Sequence, residues 1–322
     1  MPRNTIQSLD ATNTTFASVA LGMRGDRQGT VNEQVHDGDT IVSRAVDNFG
    51  IRFLGIDTAE VSFSFPGTKR FVSLKDPQWN DFLQAPFDAR WPAFEDELDP
   101  QLVAALKAKV QPDCGSNHAL HAERATQFLR EQVQYDLREM GHTTETFRMY
   151  LVFAHEVMDG YGRFLAYANR DQPDRNKPTP RPLTYNERML QSGLALPYFI
   201  WPNINPFRKA TSIMAAVVPP GGAKTLADQD SALSRARQWV KSARSRHLGV
   251  FDAMQPLQLE PFELRFLARR ESLRRWVIDL GRNDDVLLRP ENYHTIPWPE
   301  ERLYIPEEYV PLFVSKGWKT QA

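Results

Sequence analysis

Apolar and polar positions along this chain follow two different periods. From about Thr30, β-branched and apolar residues fall in short runs, "DTIVSRAV" and "GIRFLGID", separated by "DNFG", which has the chemistry of a hairpin turn. This pattern predicts at least two antiparallel strands, with a third before Asp37. The stretch "FRMYLVFAHEVMDGYGRFLAYANRD" repeats it as two strands around the turn "MDGYG". Elsewhere the period is helical. Ala122, Ala125, Leu129, Val133, Leu137 and Met140 share one helix face, and Gly141 supplies a stop. "LTYNERMLQSG" opens with Thr184 three residues before Glu187, a capping-box signature, and ends at Gly193. In "DSALSRARQWVKSARSRHLG", Leu233, Ala236, Val240 and Ala243 line one face of a further helix.

Other segments lack a clear period. Residues 1–28 are polar and read as an N-terminal arm. Residues 62–116 are rich in Pro, Phe and Trp, too aromatic for a disordered linker. They predict an ordered, mostly irregular insertion with one short helix near Asp99–Lys109. Residues 197–228 read as a long loop. Beyond about Asp252 the character changes again. "EPFELRFLARRESLRRWVIDLG" is helical and basic, and the tail from Arg289 alternates prolines with apolar anchors suited to packing or to a partner surface. Arg265, Arg269, Arg270, Arg274 and Arg275 would share one broad face of such a helix. That face suits a nucleic-acid backbone. More ordinarily it is a solvated face that Glu263 and Glu271 partly neutralise. The expected class is α+β: a five-stranded OB-type β-barrel with three packed helices, an insertion and a C-terminal helical or irregular extension. The expected division is an arm over 1–28, a barrel domain over 29–254 carrying the insertion, and an extension over 255–322.

Composition narrows the function classes. With 322 residues, 41% of them hydrophobic, the chain can bury an ample core. A formal net charge of -1 gives no bulk argument for nucleic acid, so any electropositive surface must be local. Cys114 is the one cysteine and has no internal disulfide partner. The N-terminus lacks a basic start followed by an apolar run, and no window approaches the about 18 apolar residues of a membrane span. The expectation is a cytoplasmic protein without a membrane partner, with a secreted mature form left open. The seven histidines show no zinc spacing; His118 and His121 form an i, i+3 pair without a third ligand nearby.

The candidate chemistry lies in "VHDGDTIVSRAVDNFGIRFLGIDTAE", Val35 to Glu60. Asp37-Gly38-Asp39 reads as a turn, and Asp57 and Glu60 stand where a strand ends. Were those strands neighbours, Asp39 and Asp57 would converge on one hard cation, with Glu60 within reach of a water on it. Arg52 stands in an apolar alternation with Leu54 and Ile56 and calls for an acid or a phosphate. Taken singly, these acids are ordinary turn and strand-end residues.

Taken together, "DGDTI", "IRFLGIDTAE" and the distant "DGYGRF" resemble the staphylococcal nuclease (thermonuclease) family, and "NERMLQSGLA" resembles a later helix of that family. The resemblance covers roughly residues 30–252. It implies an OB-type barrel and metal-dependent hydrolysis of DNA, with RNA as a second substrate, at low sequence specificity. By position it assigns calcium, with magnesium or manganese as alternatives, to the carboxylates of Asp39 and Asp57 and the carbonyl of Thr58. Glu60 becomes the base that activates water, Arg52 and Arg163 the phosphate clamps, and Asp37 a turn former. Tyr161 and Tyr198, or Phe199 in place of Tyr198, become substrate contacts. Ala59 replaces the family's proline and Gly160 a lysine before the Tyr-Gly-Arg turn. Two alternatives stand beside the enzyme. One is an inactive module that binds nucleic acid or protein. The other is a nuclease effector held inactive until a regulatory partner, engaging the insertion or the extension, releases it.

Overall fold

A computed structural model describes residues 5–9, 14–17, 19–35, 40–174, 179–204 and 210–321. Asp37 and Asp39 lie outside these residues. The chain divides into two compact units, Met1–Phe53 with Glu156–Ala166, and Leu54–His155 with Tyr167–Ala322.

In the first unit, strand Val19–Leu21 pairs antiparallel with Ser43–Ala45, and Met23–Arg24 pairs with Arg27–Gln28. Residues 19–28 therefore carry regular structure where a polar arm was expected. The strand expected before Asp37 is a short helix, Val31–Gln34. Thr30 and Glu33 form its capping box, Glu33 accepting from the Thr30 N–H at 2.9 Å. The hairpin expected across "DNFG" does not form. Ser43–Ala45 has the partner just named, and Ile51–Phe53 runs parallel to the start of strand Phe164–Arg170, setting Arg52 opposite Leu165.

The run "GIRFLGID" is two strands, not one. It breaks before Gly55, whose φ of 74° is costly for residues with a Cβ. A Cβ there would also lie 2.5 Å from the Tyr167 hydroxyl. The break sends Gly55–Asp57 into a sheet of the second unit, in the order Arg275–Asp279, Arg302–Pro306, Leu196–Ile200, Gly55–Asp57. Leu196–Ile200 is antiparallel to Gly55–Asp57, with Leu196 opposite Asp57, and parallel to Arg302–Pro306. The class is α+β. Among the described residues the strands form several small sheets, and none closes into a barrel.

The second unit's helices follow the sequence pattern closely. Cys114–Met140 ends at Gly141 in the left-handed region, Tyr185–Gln191 carries the Thr184 capping box, and Ser231–Ser245 buries Leu233, Ala236, Val240 and Ala243. Residues 197–228, expected as a loop, contain the end of one strand and the helices Ile213–Ala216 and Ala223–Gln229. Residues 62–116 hold the expected helix, Pro100–Lys109 capped by Asp99, and also a hairpin, Ser62–Ser64 with Phe71–Ser73, and helix Pro77–Gln84. Most of its aromatics are core or pack against it, with Phe71 exposed. Trp79, Phe82, Leu102 and Leu106 pack in one cluster with Phe262, Leu264, Leu267, Tyr293 and Tyr304 from the C-terminal segment. Cys114 joins that cluster, and burial pushes its thiol up to about 12, which suits a packing role. Among the described residues, no helix is long and apolar enough to cross a membrane.

On the inward face of the long helix, Asp136 is fully buried between two arginines, Arg170 Nη1 at 3.0 Å and Arg188 Nη2 at 2.8 Å. Deleting the acid strands two guanidinium groups facing each other out of water. Asp136→Ala is expected to cost about 3–5 kcal/mol, the usual penalty for breaking a buried pair. The urea midpoint of the full chain measures this; an unchanged midpoint would show the network to be dispensable.

Candidate acid site

The second unit places Asp57 at the last position of its strand, and the chain bends through Thr58 and Ala59 to Glu60. Asp57 is 2% exposed and Glu60 retains 23% side-chain exposure. A carboxylate buried so deeply needs a charged partner. That partner comes from the far end of the sequence. Arg265 Nη1 donates to Asp57 Oδ1 at 3.0 Å and to Glu60 Oε1 at 2.7 Å, and Nη2 donates to Asp57 Oδ2 at 2.7 Å. One planar fork thus grips Asp57 with both arms and reaches Glu60 with one of them. Burial alone would weaken the Arg265 charge, but Asp57 first and Glu60 second outweigh it and hold the guanidinium above its ordinary range.

Arg265 rides on helix Pro261–Arg269, which is fixed in the core. Leu264 and Leu267 are fully buried on either side of it, with Phe262 and Phe266 nearly so. Burying four such side chains contributes roughly 6–12 kcal/mol at ~1.5–3 kcal/mol each. That is comparable with the whole net stability of a domain, about 5–15 kcal/mol. Charges brace the same helix: Glu263 binds Lys109 and the Tyr293 hydroxyl, and Arg302 Nη1 meets Glu260 at 2.7 Å. The broad basic face read from the sequence does not exist. The helix ends at Arg270 in the left-handed region, Arg274 and Arg275 lie beyond it, and Arg265 and Arg270 point inward.

His118, from the long helix, completes the corner. Its Nε2 accepts the Glu60 backbone N–H at 2.8 Å, fixing the backbone from which that carboxylate projects. The proton then resides on Nδ1, which is buried without a partner among the described residues. Burial, followed by the Arg265 charge, lowers the imidazole to about 3 against the opposing pull of Asp57, so the ring is neutral. His121, one turn on, bonds the Gln255 carbonyl instead.

The remaining sequence-predicted residues belong to other elements. Tyr198 is in the aromatic core, stacked on Phe262, its hydroxyl accepting from Arg275 Nη1 at 2.9 Å. Phe199 is buried beside it in the strand. In the first unit, Arg52 is half-buried on its strand. Arg163 sits at the "DGYGR" turn, where Asp159 organises the loop. Asp159 Oδ1 accepts from the N–H groups of Tyr161 and Arg163, and Oδ2 holds the Arg163 guanidinium at 2.8 Å. Tyr161 is 60% exposed, with the Arg163 guanidinium 5.4 Å from its ring centre.

Two carboxylates converging on one point suit a cation. The bound cation here is a guanidinium, and it occupies both Asp57 oxygens and one of Glu60. A divalent ion on that face would meet the fixed positive charge of Arg265 and would have to compete with it for those oxygens. Sequence reasoning missed both Arg265 and His118. The argument applied to Arg52, an arginine among apolar residues, applies equally to Arg265 in "FELRFLAR".

The neutral His118 has a measurable consequence. An unfolded histidine titrates near 6.5, about the ordinary value. Between that pH and about 3 the unfolded chain binds a proton that the folded chain refuses. This contribution to stability is complete above ~6.5 and is lost as pH falls toward about 3. His118→Gln, whose amide oxygen can still accept the Glu60 N–H, is expected to flatten the unfolding free energy in that window. The change should reach up to about 1.4 kcal/mol per pH unit. Equal slopes for the two proteins in pH-dependent urea unfolding would refute it. No protein-family model, curated protein or solved structure matches the chain, so its functional reading rests on these residues and their chemistry.

Proposed function

We propose that the chain is a phosphodiester hydrolase of the staphylococcal nuclease kind, a module related to the OB barrel that acts on DNA or RNA. The observation that supports this reading is the convergence of Asp57 and Glu60 on one cationic group, Arg265 Nη1 lying 3.0 and 2.7 Å from their oxygens. The sequence motif "DTAE" calls for such a corner. Glu60 is its more open member, and a general base must meet water. In the reaction, Glu60 takes a proton from water and the hydroxide forms a bond to phosphorus. The bond to the 5′-oxygen breaks, the departing oxygen takes a proton from solvent to become a 5′-hydroxyl, and a 3′-phosphate remains. The resemblance gives Arg52 and Arg163 the task of cancelling charge that grows on the phosphate. Arg163 would exchange Asp159 for the phosphate to do so.

A second reading has its own support. Asp57 is already neutralised by Arg265, as expected of a relative that binds nucleic acid or a protein without cutting. The two readings separate in an assay of the full chain on single- and double-stranded DNA and on RNA, with calcium, magnesium, manganese or EDTA. The hydrolase reading expects 3′-phosphate products. Glu60→Gln should slow cleavage by about 10²–10⁴-fold, and Arg163→Ala by about 10²–10³-fold. Absence of cleavage under every condition refutes the constitutive hydrolase. Full-rate cleavage by Glu60→Gln removes Glu60 from the chemistry.

A further inference from the structure

The acid corner holds an internal cation, and that cation is built to stay. Arg265 presents a planar fork whose two arms match the two Asp57 oxygens, a fit that a guanidinium makes better than a compact ion. Its helix shares a single core with the insertion helices and with Tyr198, Tyr293 and Tyr304. Withdrawing Arg265 would pull Phe262, Leu264, Phe266 and Leu267 from that core and break the contacts of Glu260 and Glu263 with Arg302, Lys109 and Tyr293. His118 adds no charge and accepts the Glu60 backbone N–H. A calcium ion collects about six to eight oxygens, and here the two nearest carboxylates already serve the fork.

We propose that Arg265 is the resident cation of the Asp57–Glu60 pair, taking the place of a divalent ion, and that the folded chain binds no calcium through these carboxylates. Arg265 is then a positioning residue. It neutralises Asp57 and holds one Glu60 oxygen, leaving the rest of that carboxylate to face water. The activity arm of this inference rests on the hydrolase reading, and there it means cleavage that chelators do not stop.

The test is calorimetric titration of calcium chloride into the full chain, for the wild type, Asp57→Asn, Glu60→Gln, Arg265→Lys, Arg265→Gln and the double variant Arg265→Gln, Asp57→Asn. The wild type is expected to show no saturable binding that Asp57→Asn removes. Arg265→Gln should bind calcium at least about tenfold more tightly than the wild type, which is ~1.4 kcal/mol, and Asp57→Asn should abolish that gain. Arg265→Lys keeps the charge without the fork and should fall between. It also serves where Arg265→Gln fails to fold, since it leaves Asp57 a cationic partner. Saturable calcium binding by the wild type that is lost in Asp57→Asn or Glu60→Gln overturns the proposal. So does a folded Arg265→Gln that binds calcium no better than the wild type. Cleavage in EDTA separates the two levels. Activity within about twofold of that with calcium supports both. Calcium results as expected with no cleavage by any variant leave the resident cation standing and refute the hydrolase. Cleavage abolished by EDTA, together with wild-type calcium binding, does the reverse.

Discussion

The ion pair of Arg265 with Asp57 and Glu60 is the contact on which the acid site depends. Asp57 is almost without exposure, and a carboxylate there would be prohibitive alone. The guanidinium removes the penalty by giving each Asp57 oxygen a donor at hydrogen-bond distance. The same solution recurs in the second unit. Asp136 lies between Arg170 and Arg188, Glu263 meets Lys109 and Tyr293, and Glu301 meets Arg237 and Lys241. These buried charges come in matched sets, which makes loss of one member costly and fixes neighbouring elements in register.

This pairing ties the end of the chain to its beginning. Strand Arg302–Pro306 lies two strands from Gly55–Asp57 in the sheet, separated by Leu196–Ile200, and the helix bearing Arg265 packs with the aromatics of residues 62–116. The C-terminal segment therefore supplies structure and a site residue together. A segment that looked basic and surface-bound has two of its arginines turned inward, Arg265 to carboxylates and Arg270 to the Pro86 carbonyl between Phe82 and Phe94. Only the first of these charges balances internal acids.

The first unit shows the same economy of charge at its turn. Asp159 closes the "DGYGR" loop through two backbone N–H groups and also holds Arg163. An arginine paired with an acid on its own turn is presented in one orientation beside an exposed Tyr161. The Arg163 guanidinium is thus already bonded to a carboxylate at a partly solvated position.

Local signals in the sequence determined much of the fold. Thr184 with Glu187, Asp99 before Pro100, Gly141, and the apolar spacing of Leu233 to Ala243 act within one or two turns of backbone, so the helices they define were legible. The strands around "MDGYG" were legible for the same reason, and so was the acid pair, since Asp57 and Glu60 are three residues apart. Strand partners were not. Gly55 reads as one more strand residue until its φ of 74° parts Ile51–Phe53 from Gly55–Asp57 and sends them to different sheets. The aromatics of residues 62–116 announced order, but not that they share a core with residues 259–304. Nor did any spacing place Arg265 on acids more than two hundred positions away. The sequence determined the close spacing of Asp57 and Glu60, while the burial of Asp57 that makes a cation necessary belongs to the fold. Only the tertiary structure decided which cation that is, because the choice depends on the packing of a helix distant in the chain.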